Sequence, residues 1–325
     1  PPGERAELLG MIETFQQARG AGMLPSPARI SAEIFYNRAD IFRTAFRAYL
    51  LLGFLLLVVA TNSNTRRKKA LLQTTSKRRR WLPRLLTVLI VAVFLWQCAG
   101  LGLRWYISGR APWTNAYESM VYVGWTNVLA GLIFARRSRL ALALATLMGG
   151  VILFVSNLNW LDPQITPLVP VLKSYWLMIH VSVITASYGF FGIAAVTGLA
   201  SLIAMIAGHP RHDLRIIGEL SMLIGLVLLA AGIFLGGVWA NESWGRYWGW
   251  DPKETWALIT LLVYTFVTHS RHIPRLSNDF AFSAMSLAAI ASVLMTFFGV
   301  NYYLSGLHSY GGSGGVAFAP IAAST

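Results

Sequence analysis

The chain has 325 residues, 55% of them hydrophobic and only 12% charged, with a formal net charge of +14. That balance excludes an ordinary water-soluble globule, because several apolar runs reach the roughly 20 residues that a bilayer core demands. A single cysteine, Cys98, excludes an internal disulfide, a Cys-x-x-Cys redox pair and a c-type haem attachment site within the chain, and leaves helix packing as its role.

Residues 1–44 are polar and loosely helical, interrupted by Gly20, Gly22, Pro25 and Pro27. They read as an external lead-in, and no cleavable signal peptide is expected there. Eight membrane helices follow, predicted at 45–60, 83–103, 117–134, 140–156, 176–207, 214–238, 256–270 and 280–300. The first is short and the fifth is long enough to tilt. The expected fold is therefore all-α, a polytopic membrane bundle over 45–300 with a tail at 301–325 and both termini outside. No internal repeat of the transporter kind is visible.

Basic residues set that orientation. The inner loops take Arg66–Lys69, Lys77–Arg80, Arg84, Arg136, Arg137, Arg139, Arg211, Arg215, Arg271 and Arg275. The outer loops hold Arg104, Arg110, Lys173, Arg246 and Lys253. This is the positive-inside pattern. It makes the basic loops topological determinants beside anionic membrane lipid, with no nucleic-acid partner expected. The lead-in is basic as well and departs from the rule.

Aromatic and polar sequence collects in the outer segments 104–119, 156–176, 244–256 and 301–315, whereas the short inner loops carry nothing comparable. Function is expected on the outer face. In the first of these segments Asn115, Tyr117 and Glu118 have no role that sequence reveals. The densest segment is WGRYWGWDPKETW, where Trp244, Tyr247, Trp248, Trp250 and Trp256 alternate with glycines and charges. Such a composition suits a flat shelf at a membrane–water boundary, on which a planar ligand stacks while ring N–H and O–H groups stay wet. Asp251, Pro252 and Glu254 form the N-cap, N1 and N3 of the following helix, which sets the angle at which Trp248 and Trp250 are presented. Arg246 and Lys253 are candidates for pairing with carboxylates such as haem propionates.

The six histidines divide by position. His209, His212 and His272 lie in Arg-containing inner loops and read as solvated residues. His180 sits just inside the outer end of the fifth span, where an imidazole is costly and marks either a functional site or a hydrogen bond to a neighbouring helix. His308 follows the last span on the same side. The pair could clamp the iron of a planar macrocycle from opposite faces, and the alternative for His308 is an ordinary loop histidine. His269 ends the seventh span at the inner side, about 20 Å from the Trp256 end at 1.5 Å per residue, too far to join that pair. Zinc fits poorly, because no cysteine or carboxylate accompanies these histidines at ligand spacing.

The Trp244–Trp256 segment resembles the tryptophan-rich WWD signature of the haem-handling proteins of cytochrome c maturation. PWTNAYES (112–119), SYWLMIHVSVITASYG (174–189) and SGLHSYG (305–311) resemble the CcsA (ResC) component of the system II cytochrome c synthase. The likeness runs from about residue 45 to 311, and residues 1–44 resemble the junction of natural CcsB–CcsA fusions.

The resemblance implies haem b as cofactor. It implies His180 and His308 as external axial ligands, and a platform of Trp239, Trp244, Tyr247, Trp248, Trp250, Asp251 and Trp256. It further implies His269 as one ligand of a second haem site within the membrane, whose other ligand belongs to CcsB. The implied activity is that of a holocytochrome c synthase, a haem lyase. Acting with CcsB and a thiol-reducing partner in the bacterial inner membrane, it joins haem to a Cys-x-x-Cys-His apocytochrome c on the periplasmic face. A haem exporter or chaperone without ligation activity and a solute transporter with an aromatic belt are the two alternatives.

Overall fold

The computed structural model describes residues 2–20, 24–69, 78–158, 161–166 and 173–304, and every described element is helical. The helices are α1 (Pro2–Gly20), α2 (Pro27–Ala39), α3 (Ile41–Lys69), α4 (Arg78–Ser108), α5 (Ala116–Phe134), α6 (Arg139–Ser156), α7 (Tyr175–Ile206), α8 (His212–Trp244), α9 (Pro252–His269), α10 (Asp279–Leu294) and α11 (Val300–Tyr303). A π turn at Met295–Gly299 joins the last two. A bilayer offers no water to unpaired backbone groups, so all-helical architecture is what this apolar sequence requires.

Helix occupies each of the eight predicted spans, but among the described residues six segments are long and apolar enough to cross a membrane unaided: 27–62, 81–108, 139–156, 175–206, 212–244 and 279–303. The first begins well before residue 45, because only Asp40, in a left-handed conformation, separates α2 from α3. The helices α5 and α9 lie outside the set. Glu118, Ser119, Thr126 and Asn127 make α5 polar, and all four are buried against neighbouring helices rather than facing lipid. Thr260 and Thr268 play the same part in α9.

Two groups of helices share the interior. Tyr49, Leu56, Ile90, Val128, Leu142 and Leu153 pack α3, α4, α5 and α6 together. Phe191, Met222, Leu229, Tyr264 and Val293 do the same for α7, α8, α9 and α10. A third cluster, with Phe134, Ile193, Leu214 and Ile217, joins the groups. Since lipid tails are as apolar as leucine, close backbone approach and interhelical hydrogen bonds must supply the cohesion. The Tyr49 hydroxyl donates to Gln97 (2.9 Å), whose amide donates to the Val121 carbonyl (3.1 Å). The Asn127 amide donates to the Gly189 carbonyl at 3.0 Å, tying α5 to α7.

The two ends of the bundle are held by different chemistry. At the basic end, Arg211 pairs with Asp213, which also accepts from Ser138, while Arg215 pairs with Asp279 and Arg271 with Glu219. The N-terminal turns of α8 thereby gather the loops around them. At the aromatic end the hub is Glu118, fully buried, whose carboxylate accepts from Arg104 Nε (2.8 Å) and Arg110 Nη1 (2.9 Å). It also takes the backbone N–H of Thr114 (3.0 Å) and of Asn115 (3.3 Å). The two arginines then reach outward. Arg104 donates to the Tyr36 hydroxyl and the carbonyls of Pro163 and Gln164, and Arg110 to that of Thr166. Thus α2, the α4–α5 loop and the 161–166 segment converge on one carboxylate. The three residues of the first outer segment acquire roles here. Asn115 caps α5 in a capping box with Glu118, and the Tyr117 ring lies under the Arg104 guanidinium, 5.3 Å from its centroid.

Removing the negative charge strands two arginines, one of them wholly buried, so E118Q is expected to lower stability by about 3–5 kcal/mol. Thermal unfolding of the purified protein in detergent checks this, and an unchanged melting point would contradict the hub role.

Candidate functional site

His180 occupies the second turn of α7, on the face that meets α8. Its Nδ1 lies 2.7 Å from the carbonyl oxygen of Gly232. A carbonyl only accepts, so Nδ1 carries the proton and donates it, and the ring's lone pair sits on Nε2. The approach is that close because α8 has no side chains in the way. A Cβ on Gly232 would come within 2.9 Å of the Ile184 side chain, and one on Gly236 within 2.6 Å of His180 Cε1. Beside the imidazole, the fully buried Trp239 ring lies nearly parallel to it, 9° between planes and 6.4 Å between centroids. Trp239 in turn meets Trp244 edge to face at 4.7 Å.

The tryptophan-rich segment is a chain reversal between α8 and α9. Gly245, with φ +70°, ends α8 in the left-handed conformation that glycine adopts without penalty. Asp251 begins α9, with Pro252 at N1 and Glu254 completing a capping box, as the sequence predicts. Between these stops lie Tyr247, Trp248 and Trp250. Trp248 and Trp250 meet at right angles with centroids 5.7 Å apart. Trp250 projects outward, 70% exposed, from a backbone with φ +55°, a region that bulky residues rarely enter. The Trp248 Nε1 is buried and finds no hydrogen-bond partner among the described residues. Trp256 sits half-buried in the first turns of α9, and its carbonyl accepts from Thr260 and Thr296.

Both cationic candidates belong to this reversal. Arg246 is exposed, lies against Gly249, and forms no ion pair among the described residues. The Lys253 ammonium donates to Asn301 Oδ1 at 2.8 Å, tying the start of α9 to the end of the last helix. Desolvation pushes the ammonium down to about 8, against a smaller upward pull from the Asp251 carboxylate.

Hydrogen bonds join this reversal to the other loops of the same end. The Ser174 hydroxyl donates to Glu242 (2.8 Å), linking the starting turn of α7 to the final turn of α8. The indole N–H of Trp113 donates to the Met178 carbonyl (2.9 Å), bracing α7 two residues before His180. Trp113 itself leads an aromatic series, through Tyr122 (4.9 Å) and Trp125 (5.5 Å) to Phe94 (5.4 Å). Cys98 accepts from the Trp125 indole at 3.1 Å.

His180 and Trp239–Trp256 thus share one end of the bundle, whereas His308 lies outside the described residues. His269 is at the opposite end. Its Nδ1 donates to the Thr265 carbonyl at 2.8 Å, and it lies exposed on α9 along the same face as Phe266 and Leu262. His272 is close by, with ring centroids 6.2 Å apart. His209 and His212 are exposed loop-end residues. Sequence reading passed over Gly232, Gly236 and Trp113. The glycines carried a signal, since Gly218, Gly225 and Gly232 recur every seventh residue on one helix face, the mark of close helix contact.

Comparison with known proteins points the same way. The family model described as "Cytochrome C assembly protein" matches residues 113–308. Protein NrfI of Wolinella succinogenes is 46% identical over 314 residues, which is 94% of this chain but only 34% of NrfI. The cytochrome c biogenesis protein CcsA of Guillardia theta is 35% identical over 245 residues, 65% of this chain and 80% of CcsA. CcsA of Synechococcus sp. strain CC9902 is 35% identical over 271 residues, 70% of this chain and 87% of that protein. The chain belongs to the cytochrome c assembly protein family, as a multi-pass membrane member of the CcsA type.

Proposed function

We propose that this chain holds haem b at the aromatic end of the bundle, on the external face of the bacterial inner membrane, and presents it for attachment to apocytochrome c. The observation that carries the reading is the His180–Gly232 hydrogen bond, because it fixes the tautomer and ring plane that a metal-binding imidazole needs. The residues present suit a porphyrin. Indoles at Trp239, Trp244, Trp248 and Trp250 offer planar contact, the orphaned Trp248 N–H offers a donor, and Arg246 and Lys253 offer cations for two propionates.

In this reading His180 and His308, the latter in the tail beyond residue 304, would hold the haem iron. Bound haem would supply the vinyl groups that accept the two thiols of a Cys-x-x-Cys-His apoprotein. The protein would contribute orientation and a ligand-held iron, and need not supply an acid or base of its own. The thiols come reduced from a separate partner. His269, on an outward face with Phe266 and Leu262, supplies one ligand of a second haem site in the membrane that CcsB completes.

The purified protein is expected to carry haem with a bis-histidine Soret spectrum. H180A should reduce retention about tenfold or more, with partial recovery in added imidazole. G236A should reduce it to a similar degree while leaving His180 in place in the sequence, since its methyl group must displace the imidazole. A haem-free wild type, or variants that retain haem unchanged, would overturn the site. Covalent haem on apocytochrome c when CcsB is present separates ligation from export alone.

The low ammonium value makes haem retention sensitive to pH. Lys253 is charged below about 8 and loses its charge as pH rises through that value, where an ordinary lysine stays charged past pH 10. The free site therefore offers a cation to a propionate at pH 7 and progressively less of one above about 8. Haem affinity should fall above that value in the wild type and stay flat in K253R, measured by haem titration.

A further inference from the structure

Glu254 does more than a helix cap requires. A capping box needs the N3 carboxylate to accept one N–H, that of the N-cap residue, and Glu254 Oε2 does accept the Asp251 N–H at 3.2 Å. The same oxygen takes a second and shorter bond, 2.8 Å, from the N–H of Gly249. Gly249 lies outside the helix, on the far side of Trp250. Both amides that flank Trp250 therefore point at one carboxylate oxygen.

Two N–H groups separated by one residue converge in this way when the intervening backbone is left-handed, which makes a small anion-binding concavity. Trp250, at φ +55°, is that residue. With the amides turned inward to Glu254, its side chain emerges on the outside, which accounts for an indole left 70% exposed between two buried or half-buried neighbours, Gly249 and Asp251. Arg246 covers Gly249 so closely that a Cβ there would meet its guanidinium carbon at 2.8 Å, closing the reversal from its other side. Asp251 caps the helix independently, accepting the Lys253 N–H at 2.9 Å, so the start of α9 does not hang on Glu254 alone.

We infer that Glu254 is a positioning residue for the external site: its carboxylate clamps the amides of Gly249 and Asp251, holds Trp250 in the left-handed conformation, and so presents the Trp250 indole to the bound macrocycle. The last step rests on the haem reading above, whereas the clamp does not.

The test uses the full-length protein in nanodiscs and two readouts. The first, hydrogen–deuterium exchange resolved to the Gly249 and Asp251 amides, needs no haem. E254A should speed exchange at both by about tenfold or more, while amides from Ala257 onward keep their protection. E254Q, whose carbonyl oxygen can accept both bonds, should behave as wild type and guards against simple misfolding of E254A. W250G should keep both amides protected, because glycine enters the left-handed region freely. The second readout is the Soret absorbance per protein, expected to fall several-fold in E254A and W250A and to hold in E254Q. Unchanged exchange at Gly249 in E254A overturns the clamp, and loss of protection along the whole first turn of α9 reduces Glu254 to a cap. Lost protection in E254A with full haem, while W250A loses haem, overturns its positioning role. Full haem in W250A with the expected exchange pattern leaves the clamp standing and sinks the haem platform instead.

Discussion

The close approach of α7 and α8 is the constraint on which the site depends. In a bilayer, helices gain nothing by hiding apolar surface from one another, so they associate where backbones can meet. Gly225, Gly232 and Gly236 give α8 such a face, filled from the α7 side by Phe191, Ile184 and His180. At the last of these contacts the missing side chain lets an imidazole reach a main-chain carbonyl within the helix pair. The packing that holds the two longest helices together thus also sets the tautomer of the one described histidine at the aromatic end.

Around that contact the polar groups are arranged by the cost of leaving them unpaired. Glu118 and Arg104 are both fully buried, and neither would be tolerable without the other. Together with Arg110 they take up three carbonyls of the 161–166 segment, which has no regular structure to satisfy them itself. Trp113 then leans from the anchored α4–α5 loop onto α7. In this way an ionic hub without any described contact to the tryptophan segment steadies the helix that bears His180.

Sharp stops shape the tryptophan segment itself. A glycine ends one helix and an aspartate cap starts the next six residues later, so the aromatic side chains between them have little freedom in direction. Trp239 and Trp244 belong to the last turns of α8 and face inward, whereas Trp250 is turned outward by its backbone. Indoles of similar spacing in the chain therefore end up with unlike exposure, and only some of them can meet a ligand.

Hydropathy and charge by themselves determined an all-helical membrane bundle and the approximate position of each membrane helix, and the family was legible as a resemblance in a few short motifs, because apolar runs and a dense aromatic signature are local properties of a chain. They also located the α9 cap, since Asp-Pro-x-Glu acts within one turn. Helix occupies all eight predicted spans, and the polar residues that lower the apolarity of α5 and α9 are buried against neighbouring helices. The partner of His180 and the purpose of Glu118 were decided only by tertiary structure. Each depends on atoms brought together from distant segments: a carbonyl 52 residues from its imidazole, and an arginine reaching 59 residues to a proline carbonyl. Such pairings leave no periodicity for a sequence to display.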